Sequence, residues 1–178
     1  MIDIEKCRIT HYPAKVLTGP AEPVGQINDN IRQLVDKMVD IMLKNKGIGL
    51  AAPQAGVSLR LFIVSLEAKK EAVKVYINPT VICAGELAAV EEGCLSVPGI
   101  YTKIKRFKKC TVTATDLDGK EFTEEAEGLY ARVLQHEYDH INGITIADRM
   151  GSTGRIAHRR QLKKLRQDHE KTGIRNEQ

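Results

Sequence analysis

The chain is expected to fold as one α+β domain, with antiparallel sheets packed around a helix that carries Gln135-His136-Glu137-Tyr138-Asp139-His140. Three observations predict it: a helical period near the N-terminus, β-branched segments broken by turn formers between 58 and 123, and a second helical period that ends on the histidine pair. In the first, Ile27, Ile31, Leu34, Met38 and Ile41 recur at spacings of three or four and line one face of an amphipathic helix. Asn28 or Asp29 can cap its start, and Gly47 lies beyond its end. The strand candidates are Leu61-Phe62-Ile63-Val64, Val73-Lys74-Val75-Tyr76-Ile77 and Cys110-Thr111-Val112-Thr113-Ala114-Thr115, separated by Asn-Pro, Pro-Gly and Asp-Gly turns. Asp118-Gly119 between alternating runs is a hairpin signal and calls for antiparallel pairing. In the second helix Ala126, Leu129, Val133, His136 and His140 continue one stripe toward the core. A third helix is expected over 155–166, with Leu162 and Leu165 on its inner side.

The histidine segment carries the chemistry. Residues i and i+4 of a helix share a face, so His136 and His140 can hold one cation without backbone strain. Glu137 is turned about 100° around the helix from His136, where it can serve a metal-activated water without being a ligand. A chance spacing on a solvated helix is the bland alternative. The apolar stripe argues against it, because buried imidazoles need partners.

A hydrolytic centre of this kind uses three protein ligands and leaves one position open. Downstream, Asp148, His158, Asp168, His169 and Glu170 stand in no motif. Upstream, Glu92-Gly93-Cys94-Leu95-Ser96 offers a cysteine in an extended stretch bounded by turn formers, and Cys94 is the expected third ligand. The four cysteines, Cys7, Cys83, Cys94 and Cys110, form no CxxC pair. Cys83 and Cys110 read as small buried hydrophobes. The N-terminus resembles neither a signal nor a transit peptide, and no apolar run is long enough to span a membrane. A reduced, cytoplasmic protein of bacterial type is the expectation.

Three segments, Gly47-Ile48-Gly49-Leu50-Ala51-Ala52-Pro53-Gln54, Glu92-Gly93-Cys94-Leu95-Ser96 and Gln135 to His140, resemble in order and separation the peptide deformylase family. The likeness extends through Ile77-Asn78-Pro79, Val97-Pro98-Gly99-Ile100-Tyr101, Asp116-Leu117-Asp118-Gly119 and Ile141-Asn142-Gly143. Near the N-terminus the chain reads Pro13-Ala14-Lys15-Val16-Leu17-Thr18 and lacks the acidic and arginine residues common there in the family.

The resemblance implies a metallohydrolase that removes the formyl group from the N-terminal formylmethionine of nascent polypeptides and releases formate. It implies Cys94, His136 and His140 as ligands, Glu137 as proton carrier, and the Gln54 amide and Leu95 backbone N–H as oxyanion donors. It places Ile48, Gly49, Val90, Gly93, Leu129 and Val133 against the substrate, with Ile48 and Gly49 pairing to the peptide as an added strand. Fe(II) is the implied metal and Zn(II) an alternative occupant, since imidazole and thiolate suit both. Arg132, one position off the helix stripe, reads as a solvated side chain.

Charge is divided unevenly. Residues 149–178 hold nine Lys/Arg against three Asp/Glu, whereas residues 1–148 carry a net −2. Residues 1–150 are therefore read as the catalytic unit and 151–178 as a basic helix or tail of the same domain, suited to ribosomal RNA phosphates. A monomer is expected. An HExxH metallopeptidase and a non-enzymatic RNA-binding module with a structural metal are the competing readings; neither accounts for Gly49 to Gln54.

Overall fold

A computed structural model describes the backbone of residues 2–176, with side chains through 171. Its centre is a single five-stranded antiparallel meander in the order β1 (Gly49–Ala51), β2 (Leu61–Val64), β3 (Lys74–Gly93), β4 (Tyr101–Thr115) and β5 (Glu121–Glu127). Helix α1 (Asp29–Lys44) packs on one face. Helix α2 (Gly128–Ile141) lies on the other and touches all five strands.

The sequence of β2 shows how one strand serves both faces. All four residues are buried, and successive side chains alternate, so Leu61 and Ile63 enter the α1 layer while Phe62 and Val64 enter the α2 layer. In the first layer Leu34, Met38 and Met42 of α1 are fully buried against Leu50 and Ile63. Truncating Leu34 to alanine there would cost about 2–5 kcal/mol. In the second, Ala131, Leu134 and Ile141 of α2 meet Phe62, Tyr76 and Val112. A third cluster joins Tyr12, Val97, Ile100 and Ile104 to the C-terminal segment.

Most expected elements form, with instructive differences. Asn28 caps α1, its Oδ1 accepting from the Ile31 N–H at 3.2 Å. At the other end the left-handed residue is Lys46 (φ 56), not Gly47. The Lys46 and Gly47 N–H groups bond back to the Leu43 and Met42 carbonyls at 3.0 and 2.9 Å, which is a Schellman closure. Asn78-Pro79 does not break a strand. Asn78 sits at φ 50 in a bulge of β3, its side chain bonded twice to Val24 at 2.8 Å, and the strand runs on to Gly93. Ala126 belongs to β5 rather than to the α2 stripe, and Cys83 is only half-buried.

The Asp118-Gly119 hairpin is present, with Gly119 at φ 80 between β4 and β5. The C-terminal helix expected as one piece is two, α4 (Ser152–Ala157) and α5 (Arg159–Asn176), preceded by the short α3 (Ile146–Arg149). His158 marks the break. Leu162 and Leu165 do turn inward onto the third cluster. Among the described residues, no helix is long and apolar enough to cross a membrane.

Candidate metal centre

Two elements deliver the donor atoms. Helix α2 sets His136 and His140 one turn apart, their Nε2 atoms separated by 3.2 Å. The chain leaving β3 brings Cys94 to the same point, with Sγ 3.2 Å from His140 Nε2. The three donor atoms lie within 4.8 Å of one another. No downstream candidate joins them among the described residues, so Asp148, His158, Asp168, His169 and Glu170 are not part of this cluster.

One sulfur and two ring nitrogens at this spacing suit a divalent cation. Burial pushes His136 down, but hydrogen bonds to Cys94 and Glu92 outweigh it and hold the ring up at about 10. Burial and the charge of His136 drive His140 well below its ordinary value. A divalent ion binding at these donors would compete with the proton on His136.

Glu137 stands beside the donors, 3% exposed, and burial pushes its carboxyl up to about 7. Its Oε2 has no hydrogen-bond partner among the described residues. A Cβ built on Gly49 would lie 2.5 Å from Glu137 Oε1, so the glycine provides the space in which the carboxylate sits. Gln54, 2% exposed, accepts the Ala51 N–H on Oε1 at 2.8 Å and turns Nε2 toward Cys94 Sγ at 3.5 Å. Leu95 flanks the thiol, and its N–H donates to no protein acceptor among the described residues.

A cleft of about 830 Å³ opens over these groups. Ile48, Gly49, Gln54, Val90, Gly93, Cys94, Leu95, Leu129, Val133, His136 and Glu137 all line it, which brings every expected site residue except the deeply buried His140 to one cavity wall. Leu129 is 59% exposed there, so it belongs to the cleft and not to the core. Just before β1 the Ile48 carbonyl accepts from the Ser65 N–H at 2.9 Å. By the alternation of an antiparallel pair, Gly49 is the residue whose N–H and C=O face the open edge.

The sequence reading gave no role to the ionic cluster behind the ligands. Glu92 Oε2 accepts from His136 Nδ1 at 2.9 Å. Arg106 donates to both Glu92 oxygens at 2.7 and 3.0 Å and to Asp139 at 2.8 Å, and Arg149 closes on Asp139. Arg132, expected in solvent, is buried instead, donating to Glu92 at 2.6 Å and to the Ala88 and Ile104 carbonyls. Burial pushes Glu92 up, yet its bonds to His136 and Arg106 prevail and hold it at about 2. One signal was available: in a strand, residues two apart share a face, which pairs Glu92 with Cys94 and sets Arg106 beside buried Ile104.

The model of the polypeptide deformylase family matches residues 6–155. A peptide deformylase of Acidobacterium capsulatum is 43% identical over 159 residues, 88% of this chain and 94% of the relative. One of Thermodesulfovibrio yellowstonii is 42% identical over 158 residues, 87% and 95% respectively. Among solved structures, peptide deformylase of Plasmodium falciparum superposes with a TM-score of 0.89 at 34% identity, covering 93% of this chain and 98% of that one. That of Legionella pneumophila gives 0.84 at 39% identity, covering 92% and 97%.

Proposed function

The chain belongs to the polypeptide deformylase family, metal-dependent hydrolases that remove the N-formyl group from nascent peptides, and we propose that Cys94, His136 and His140 hold its metal while Glu137 moves the proton. The observation that carries this reading is the meeting of one sulfur and two ring nitrogens within 4.8 Å, with a buried carboxylate beside them. A divalent cation supplies Lewis acidity at that point, acidifying water and polarising a carbonyl.

The remaining steps belong to the side chains. Glu137, held near neutrality by burial, accepts a proton from the attacking water and passes it to the departing amine nitrogen, acting as base and then as acid. The carbonyl oxygen gains negative charge as its carbon becomes tetrahedral. The Gln54 amide, fixed by its bond to Ala51, and the free Leu95 N–H are the donors that meet this charge. Val90, Leu129 and Val133 offer apolar walls for the methionine side chain, Gly93 and Ile48 flank it, and the edge of Gly49 pairs with the peptide backbone. The test is an anaerobic assay on a formylmethionyl peptide with metal analysis. Glu137→Ala is expected to retain metal and lose about 10²–10⁴ in turnover, whereas Cys94→Ala loses the metal itself. Metal retained in full by Cys94→Ala would overturn the ligand assignment.

Fe(II) is the proposed native ion, with Zn(II) as an alternative occupant, and the same metal analysis on anaerobically purified protein decides it. We further propose residues 1–150 as the catalytic unit, with 151–178 attached to it through Leu162, Leu165 and the bond from Arg166 to the Tyr12 hydroxyl at 2.8 Å. The exposed Arg159, Arg160, Lys163 and Lys164 are the groups offered to the ribosome in the cytoplasm, where the protein acts as a monomer. Truncating the tail would strip cover from Val97 and Ile100, so replacing those four by glutamine is the cleaner variant. Ribosome co-sedimentation that this replacement leaves unchanged would dispose of the idea, as a dimer in sedimentation equilibrium would dispose of the monomer.

A further inference from the structure

We propose that Lys46 selects for formylmethionyl peptides with an acidic third residue. The inference rests on the deformylation reading above and adds a specificity to the same cleft.

The direction of the bound peptide follows from where the reacting end must lie. Glu137 touches the space over Gly49, so the methionine that bears the formyl group belongs opposite Gly49. Leu50 and Ala51 are fully buried whereas Ile48, Gly47 and Lys46 line the cleft, so a peptide pairing with the open edge of β1 leaves the metal centre by passing Ile48 and Gly47, toward the end of α1. Paired strands advance by about 3.4 Å per residue on both sides. With the methionine opposite Gly49, the second residue lies opposite Ile48 and the third opposite Gly47, next to Lys46.

Lys46 is held in place for this. It occupies the left-handed position of the α1 closure at φ 56, pinned by its bond to Leu43 and by that of Gly47 to Met42. It is exposed, lines the cleft, and forms no ion pair among the described residues. The other charged side chain at the cleft rim is Glu91 on β3. Its cross-strand partner is Lys103, and like Lys46 it forms no ion pair among the described residues. Arg132 also borders the cavity, but its charge is spent on buried Glu92. Lys46, adjoining Gly47 on the cleft wall, is the charge placed beside the third residue.

The experiment compares fMet-Ala-Glu-amide with fMet-Ala-Gln-amide on the metal-loaded enzyme, so that the two substrates differ in one charge. Opposite unit charges about 5 Å apart in water are worth about a fourfold change in kcat/KM. A Glu:Gln ratio of about four is expected at low salt, falling toward one at about 1 M salt, where the screening length is roughly 3 Å. Lys46→Asn, which tolerates the left-handed backbone, is expected to bring the ratio to about one, and Lys46→Asp to carry it below one. Each ratio is internal to its variant, and the salt arm uses wild type alone. A ratio near one in wild type at low salt, or the same ratio in Lys46→Asn, overturns the assignment. Absence of turnover on the glutamine peptide overturns the deformylation reading itself.

Discussion

Gly49→Ala is the sharpest test of how the site is built. The glycine backbone is not in the left-handed region, so alanine meets no conformational penalty there and the effect is steric. Its Cβ would lie 2.5 Å from Glu137 Oε1, 2.9 Å from Cδ and 3.0 Å from Cγ, against ordinary contact from 3.4 Å. The carboxylate must retreat by about 0.9 Å, and it is the far end of a side chain, so the chain itself still folds. Overpacking of this size costs about 1–3 kcal/mol of stability. A misplacement of about 1 Å in a catalytic group costs on the order of 10²-fold in turnover. The expected result is therefore a kcat lowered about a hundredfold, metal content unchanged and a modest fall in Tm. If Gly49 served only to let the substrate backbone approach, KM would rise while kcat held. That outcome, or turnover within about threefold of wild type, refutes the argument that the glycine exists to seat Glu137.

Glu92→Gln should weaken metal binding by about 10–100-fold, measured by chelator competition, because His136 loses the carboxylate that orients its ring; unchanged affinity would show that Glu92 only balances charge. Gln54→Ala is expected to keep the metal and lose about 10²–10³ in kcat, and a loss confined to KM would remove it from the oxyanion role. Away from the site, Glu124 is pushed up by burial but more strongly held down by hydrogen bonds from Lys74, Tyr76 and Tyr130, so its folded pKa lies below the ordinary 4.5. A depressed carboxylate contributes stability that is present above its unfolded value and lost as pH falls through the folded one. Glu124→Gln should accordingly lower stability by about 1–3 kcal/mol at pH 7, with the difference shrinking below about pH 4.5; a Tm difference independent of pH would contradict this.

What could be read in the sequence was whatever depends on local spacing. The i, i+4 histidines declared a shared face because helical period alone places them there, and Cys94 stood out by its neighbours. Partners that lie far apart in sequence left no such mark. Glu92 meets Arg106 across 14 positions and Arg132 across 40, and only the pairing of β3 with β4 and the packing of α2 brings them together. Single residues misled where tertiary contacts override local preference. Gly47 looked like the helix terminator, yet it is glycine for space, since a Cβ there would meet Leu95 at 3.1 Å and Met42 at 3.3 Å, and Lys46 takes the positive φ. Asn78-Pro79 looked like a turn, but two bonds to Val24 and one from its own N–H to Arg60 hold the asparagine in a bulge through which the strand continues.

The ionic cluster behind the proposed ligands bears on how His136 would hold a metal. Arg106, Arg132, Glu92 and Asp139 share a buried space in which an unpaired charge would be penalised by several kcal/mol, with the half-exposed Arg149 at its edge, so the four depend on one another. Arg106, 3% exposed at its side chain, grips both oxygens of Glu92. With the bond from His136, that grip keeps the carboxylate ionised despite its burial. An ionised Glu92 only accepts hydrogen bonds, so His136 must present Nδ1–H to it and leave the Nε2 lone pair for the cation. Arg132 donates to the same carboxylate, so the two arginines and His136 together offset its burial. The charges around Glu92 thus fix which nitrogen of His136 is left free for the proposed metal.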